Sequence, residues 1–450
     1  MPIQSRRIDP FTPVRAALAL LLLLGAGCSQ APSEETKKPL RIPYYDEQNF
    51  QSVYGDYFAV KFPDVEVEVI PMNTLYQPGV PILDVYSKMI DELKPDLLLT
   101  NVWDYEKLAA ANKLVDLTPF VKKSRFDLDE ISPAAIDLLK SKGQNKLLGL
   151  APQFTSTALY YNKDLFDRYQ IPYPHDKMTW EETMLLARRF PVNPNVDERI
   201  YGIHEKYRTA FDWVNDIAAT NGLTYVSADG QTITMDSPAW LLAFRTVIEG
   251  FRSGNLYYYD SGGKPINYGP TETMTMDLFS AGRAAMMISG TEQMMRMKQR
   301  GAKLNWDVVT VPVDPSNPDV TRNLSVGTIF SIAAKAEHAD TAWEVVQYFN
   351  SAEAAKVGVK TSDSLSTRLA FAKDPDGRSL DAFYKLKRDD RNASGLLPVP
   401  VNFIPSFELI VGEEIDLAVK GTKSVEEAVK SIGKRAQALL TKANAEQASS

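Results

Sequence analysis

A chain of 450 residues is long for one hydrophobic core and suits two lobes of roughly 200 residues each. Hydrophobic residues at 44% and charged residues at 24% are ordinary for a soluble globular protein. A formal charge of −7, with no Lys/Arg-rich patch carrying interleaved aromatics, argues against nucleic acid as a partner.

The N-terminus reads as an export signal. Arg6, Arg7 and Arg15 precede the apolar run Ala16–Leu24, and Gly25-Ala26-Gly27 leads into Cys28. That run is too short for a membrane-spanning helix, which needs about 20 residues, but it suits a secretory signal peptide. Cleavage after residue 27 removes three Arg and Asp9, taking the formal charge from −7 to −9. Cys28 is the only cysteine, which excludes an intrachain disulfide and a cysteine zinc cluster. The polar stretch Ser29–Pro39 offers it no core to bury in and reads as a tether.

From residue 40 the pattern is α/β. Leu40–Tyr45 is a first strand ending in Asp46-Glu47-Gln48-Asn49, with a helix expected through Tyr54–Phe62. Val65–Val69 alternates with period two, as a half-buried strand does. A helix is expected within Leu75–Lys94. Leu97-Leu98-Leu99-Thr100 is a short apolar run of the kind found in strands buried on both faces. It ends at Asn101-Val102-Trp103-Asp104, where the next helix begins. Strands alternating with helices in this way imply a parallel sheet covered on both faces, with ligands beyond the carboxyl ends of the strands. That rule puts Tyr44–Asn49 and Asn101–Asp104 at a mouth.

Pro152 bars a helix through Leu148–Thr157 and favours an extended crossing. Ala158–Tyr161 is a short strand, followed by a helix around Leu165–Tyr169. Thr179-Trp180-Glu181-Glu182 is a capping box opening a helix with Trp180, Met184 and Ala187 on one face. Ser237-Pro238 starts a helix with Trp240, Phe244, Ile248 and Phe251 on one face, stopping at Gly254. A Gly/Pro-rich loop spans 261–270, and Asp277–Gly282 reads as a helix end. Arg283–Ser289, Trp306–Val313 and Val326–Ala334 are strands. A helix follows with Ala342, Val345, Val346 and Phe349 inward. Ser424-Val425-Glu426-Glu427 caps a last helix whose face is Val425, Val429, Ile432, Ala436 and Leu439.

At YYNKDLFDRYQIPYP followed by TWEE, the chain resembles the signature of family 1 extracellular solute-binding proteins, the mostly sugar-binding receptors of ABC importers. KPDLLLTNVWDYEKLAAANKLVDLTPFV, FSAGRAAMMISG, VGTIFSIAAKAEHADTAWEVVQYFNS and GTKSVEEAVKSIGKRAQALL resemble further blocks of that family, in order, with Arg283 where Lys is common. The resemblance, which extends to maltodextrin-binding proteins, implies a two-lobed periplasmic-binding-protein-like α/β fold of type II with an interlobe ligand cleft. Hinge crossings are expected near Ala151–Phe154, near Ser325–Thr328 and around residues 360–370. The expected division is 1–27 signal peptide, 28–39 tether, 40–153 plus 327–365 N-terminal lobe, and 154–326 plus 366–450 C-terminal lobe. The resemblance also implies capture of a carbohydrate, in particular an oligosaccharide, by a monomer that delivers it to a permease with paired ATPases. Cys28 resembles the acylated cysteine of bacterial lipoproteins, with Gly25 where Leu is usual. It implies a lipid anchor holding an exported protein at the outer face of the cytoplasmic membrane or in the periplasm.

The residues themselves carry no catalytic signature. There is no G-x-S-x-G, no H-E-x-x-H and no phosphate loop, and His175, His204 and His338 are widely separated. No cofactor or metal is expected. Sugars are held by aromatic faces and planar polar side chains. Tyr45, Trp103, Phe154, Trp213, Tyr258 and Tyr259 are the aromatic candidates, and Asp46, Glu47, Asn101 and Asp104 are polar groups at the same strand ends. For each aromatic a packing role competes, and for the polar groups helix capping competes. Trp180, Trp240 and Trp343 fall within helices and are assigned to core packing. Many relatives place a sugar-stacking Trp two residues after the Gly of the Ala-Ala-Met block. Here that stretch is Gly290-Thr291-Glu292, which replaces a stacking platform with an anionic acceptor. The alternatives are a non-sugar polar or cationic solute on the same scaffold, a secreted carbohydrate-active enzyme with two facing carboxylates, and a surface scaffold.

Overall fold

The computed structural model describes residues 38–75, 80–206, 208–258, 276–361, 364–374, 377–389, 399–400 and 402–449. The signal run, Cys28, Tyr259 and the 261–270 loop lie outside the described residues.

The first lobe grows from β1 (Lys38–Tyr44), β2 (Val65–Pro71) and β3 (Leu97–Thr100). β1 and β2 pair in parallel from Lys38↔Val65 to Tyr44↔Pro71. Asp96 N donates to Arg41 O at 2.9 Å, bringing β3 to the other side of β1. The helix after β1 starts earlier than the expected Tyr54: it runs as Glu47–Phe50, widens to a π-helical turn at Gln51–Gly55, and resumes as Asp56–Lys61. Asp46 explains the early start, because its carboxylate accepts from Asn49 N at 2.8 Å and caps the first turn.

β4 (Gln153–Thr155) leaves this lobe and β5 (Ala158–Asn162) enters the second. There β6 (Tyr201–Ile203), β7 (Ala284–Ser289) and β8 (Trp306–Thr310) complete a sheet in the order β6-β7-β5-β8. β6 and β7 are parallel, whereas β5 runs against both its neighbours, with Ala158 opposite Ser289 and Thr310. The helices Trp180–Ala187 and Pro238–Ser253 bury their expected faces here, and Gly254 ends the second with φ +75°. Trp180, Trp240 and Trp343 are all buried. Asp277–Gly282 closes with the bonding of a helix C-terminus: Ala281 N donates to Asp277 O at 3.1 Å, Arg283 N to Leu278 O at 2.8 Å, and Gly282 takes φ +71°.

The chain then passes through β9 (Val320–Thr321) and β10 (Ser325–Val326) back to β11 (Ile329–Ile332) of the first lobe, antiparallel to β3. The single strand expected at Val326–Ala334 is thus two, broken at Gly327-Thr328 where the chain changes partners. β12 (Leu365–Ser366) follows the helix Ala352–Thr361. β10 and β12 both pair antiparallel with β4, on opposite sides of it. The three segments in which the sequence places crossings therefore form one small sheet. Past it, Ser132 N donates to Thr367 O at 2.7 Å and Leu369 N to Glu130 O at 3.0 Å, so the chain still touches the first lobe there. β13 (Lys387–Arg388) then pairs with β9. The last helix, Val425–Ser449, buries Leu440 in place of Leu439, since the face follows the helical rotation past Ala436.

Candidate functional site

Strand register defines the cleft. In the first lobe Thr100 lies opposite Ile329, two residues after the Gly327-Thr328 break that joins β11 to the hinge strand β10. Tyr44 reaches the same edge: its ring packs 5.7 Å from Tyr54, whose hydroxyl meets the Thr328 side chain. In the second lobe Ala158, Ser289 and Thr310 share an edge, and Ala158 begins just after the hinge strand β4. Each lobe therefore turns the end of its sheet nearest the hinge toward the other. These ends include the carboxyl ends of β1, β3, β7 and β8, where backbone runs out and side chains of the next turn can meet a ligand.

On the first-lobe rim stand Tyr45, Asp46, Glu47, Asn101, Trp103 and Asp104. Tyr45 is 63% exposed and Trp103 40% exposed. Lys107 Nζ sits 4.5 Å above the Trp103 ring. Asn101 caps the helix Val102–Ala110, accepting from Asp104 N at 2.9 Å and donating to Asp104 Oδ2 at 2.7 Å. Burial pushes the Asp104 carboxyl up, against the pull of Asn101 and Lys107. The Asp46 carboxylate is held below the usual range by the Asn49 backbone N–H and side chain. Both polar groups that open helices thus cap them while remaining on the rim.

On the second-lobe rim Gly290, Thr291 and Glu292 follow β7. Glu292 folds back over its own turn: Oε1 accepts from Ser289 Oγ at 3.0 Å, and Oε2 lies 2.2 Å from where a Cβ on Gly290 would stand. A side chain at 290 would displace that carboxylate. Tyr258, two residues beyond the Leu256 bridge to Ile203, is half-buried and donates to Asp416 Oδ1 at 2.7 Å.

Two candidates do not face the cleft. Trp213 lies in the first turn of the helix Ala210–Thr220, is 2% exposed and packs edge-on against Trp180 at 6.1 Å. Its indole completes the second-lobe core and presents no face to a ligand. Phe154 is fully buried in β4, edge-on to Tyr384 at 4.7 Å. It is a hinge-packing residue.

Sequence reading passed over the segment after β6, where charged groups are buried. Arg208 bonds both Glu205 and Asp216, and Lys206 Nζ lies 2.8 Å from Asp277 Oδ2. Burial pushes the Glu205 carboxyl up to about 7 despite Arg208. For Asp277 burial acts upward too, but Lys206 and Ser280 outweigh it and hold the group below its ordinary range. His204 is fully enclosed, with Nε2 2.7 Å from Met276 O, and burial lowers it to about 4, so the ring is neutral. The available signal was local: an apolar triplet, Tyr201–Ile203, running directly into His-Glu-Lys, as strand ends do. Among the described residues no group of three or more His, Cys, Asp or Glu is placed to hold a metal ion, and no helix is long and apolar enough to cross a membrane.

The comparisons agree with this architecture. Residues 46–356 match the model of the bacterial extracellular solute-binding protein family. Three solved structures have a similar fold. A sugar transporter from Rhizobium etli in an open conformation has 18% identity and a TM-score of 0.58, over 89% of this chain and 99% of that one. The sugar-binding protein MalE from Xanthomonas citri has 16% identity and a TM-score of 0.58, over 90% and 98%. A cyclic α-maltosyl-1,6-maltose binding protein from Arthrobacter globiformis has 17% identity and a TM-score of 0.52, over 89% and 98%. With a family match across most of its length and two lobes hinged by three strands, this chain belongs to the bacterial extracellular solute-binding proteins.

Proposed function

We propose that the protein is a carbohydrate receptor that closes its two lobes around an oligosaccharide and presents it to an ABC permease. The observation that carries this is the pair of facing strand ends, one bearing the exposed rings of Tyr45 and Trp103. Flat apolar rings beside Asp46, Glu47, Asn101 and Asp104 suit a ligand that alternates apolar faces with hydroxyls. The sugar-named structural relatives support the same class. Gly290, Thr291, Glu292 and Tyr258 would supply the second-lobe contacts, with Glu292 accepting from hydroxyls. No covalent chemistry is involved: ligand bridging both rims stabilises the closed form.

The proposed lobes are residues 40–153 plus 327–365 and residues 154–326 plus 366–450. The export signal of residues 1–27 and acylation of Cys28, with 28–39 as tether, would hold a monomeric receptor at the outer face of the cytoplasmic membrane.

The test is a thermal-shift screen against mono- and oligosaccharides, with polyamines as the contrasting class. A ligand at 100 times its dissociation constant adds about 2.7 kcal/mol to stability. A raised midpoint with a glucan series, and the glucan recovered unchanged, is the expected result. A response to polyamines alone would replace the sugar with a cationic solute and turn attention to Glu292.

A further inference from the structure

Each hinge strand turns alternate side chains to opposite faces of the small sheet, and directly paired residues share a face. Ser366 pairs with Gln153, and both line a hollow with Tyr54 and Thr328 at the first-lobe edge of the cleft. Phe154, Val326 and Leu365 lie opposite one another and therefore point the other way, behind the hinge. There Phe154 meets Tyr384.

Behind the hinge the lobes touch a second time. The helix Pro133–Lys142 belongs to the first lobe: Tyr105 Oη donates to Leu139 O at 3.0 Å, and Lys142 Nζ lies 3.1 Å from Glu106 Oε1. β13 belongs to the second, where Lys387 N donates to Asp319 O at 2.9 Å and the turn Asp381–Phe383 packs on β8. Ile136 and Leu139 of the helix share one buried cluster with Phe154, Leu380 and Phe383. At the rim of this seam, where the helix packs on β13, Lys387 Nζ reaches Asp137 Oδ2 at 2.7 Å.

The pair is placed to work against closure. Lobes that turn about the hinge sheet to close one side must part on the other. In this arrangement the rims stand apart, with the Tyr45 and Trp103 rings exposed, and Asp137 and Lys387 are in contact. Asp137 first, and Asp319 of its own lobe behind it, hold the Lys387 ammonium above the ordinary range. Closure would thus leave Lys387 with Asp319, a carboxylate that Lys177 already engages. The Lys387 and Asp137 side chains are 60% and 49% exposed, so dissolved ions reach the pair and screen it.

We propose that Asp137 and Lys387 form an ionic-strength-sensitive latch behind the hinge: the pair holds the unliganded lobes open, and salt that screens it lets them close more often. A neutral ligand then binds more tightly at high ionic strength, through a contact that it never touches. The inference goes beyond the carbohydrate reading and needs only that the lobes close about the hinge sheet.

The test follows transient closure without any ligand. In the full chain with Cys28→Ser, a nitroxide on Gln48→Cys at the first-lobe rim relaxes methyl-labelled Met294 and Met295 in the helix Glu292–Gln299 of the opposite rim. This relaxation falls steeply with distance and so follows the closed population. Raising NaCl from about 10 mM to about 1 M shrinks the screening length from about 30 Å to about 3 Å. The expected result is relaxation that rises about two- to fivefold over that range. Asp137→Asn and Lys387→Gln should each show the raised value already at low salt, lose the salt response, and add nothing to each other when combined. Lys123→Gln, which breaks the exposed Lys123–Asp340 pair inside the first lobe, should behave as the parent does. Relaxation that neither salt nor the two variants raise overturns the latch, as does a salt response that survives intact in Asp137→Asn. A fall in either variant also overturns it, since the pair would then favour closure. None of these outcomes bears on which ligand the cleft takes.

Discussion

The Tyr160 hydroxyl donates to the Gly290 carbonyl at 2.7 Å, tying the strand that enters the second lobe to the turn that carries Glu292. Burial, with Glu292 and Asp374 adding to it, raises the Tyr160 hydroxyl well above its ordinary range, so it stays a neutral donor. Tyr160→Phe keeps the ring among Phe279, Trp306 and Phe383 and removes only this bond. The expected loss is about 1 kcal/mol in urea unfolding, with weaker ligand binding because the 290–292 turn is no longer anchored. An unchanged affinity would separate that turn from the ligand.

Trp103 offers the test of the first-lobe rim. Its side chain is 40% exposed and carries Lys107 over the ring, so Trp103→Ala should lower the thermal midpoint only modestly. Removing a stacking face should weaken a bound glucan by roughly 1–2 kcal/mol, about tenfold in dissociation constant. Calorimetric titration with maltotetraose reads this directly, and an equal affinity in the variant would remove Trp103 from the site.

The Lys206–Asp277 pair predicts a different outcome, on stability. Both side chains are almost wholly enclosed, and Arg300 reaches Asp277 only at 3.3 Å. Lys206→Met leaves a buried carboxylate short of its main partner and should destabilise the protein by about 3 kcal/mol. Pairing it with Asp277→Asn should restore much of that. A single variant as stable as the parent in chemical denaturation would contradict the pairing.

His204 and Glu205 are neighbours whose titrations oppose each other. His204 is lowered by burial to about 4, so the stability it contributes is complete above 6.5 and is lost as pH falls toward 4. Glu205 is raised by burial to about 7, so its contribution is complete below 4.5 and is lost as pH rises toward 7. Each spans up to about 3 kcal/mol, and over pH 4.5–6.5 the two slopes largely cancel. Glu205→Gln should therefore expose a fall in stability on acidification, and His204→Asn a fall on going from pH 4.5 to 7. Melting midpoints across that range would reveal identical slopes if neither group titrates as described.

Much of the architecture was legible because local physics and global fold agree. The capping boxes at Thr179 and Ser424 close as their residues demand, and Ser237 caps its helix in the same way. Leu97–Thr100 is a buried strand because four consecutive apolar or small residues fit a sheet covered on both sides. What escaped depends on contacts distant in sequence. Trp213 is an aromatic candidate by sequence, but the capping box of Thr209 and Asp212 starts a helix there and the indole is buried. Nothing near Lys206 in sequence announces Asp277. β6 spans three residues, too few for periodicity to register.

The hinge sheet has a mechanical consequence. A single linker would let the lobes swivel and twist freely, but three strands laid side by side and cross-bonded behave like a strip. A strip bends easily across its width and resists both shear within its plane and rotation about its own normal. Lobe motion is thereby confined to something near one angular coordinate, with β4 at its centre. Along such a coordinate every rim residue returns to the same opposite number on each closure. The geometry that receives a ligand is in this way reproduced by the strip itself, and a ligand has only to choose how far along it the lobes come to rest.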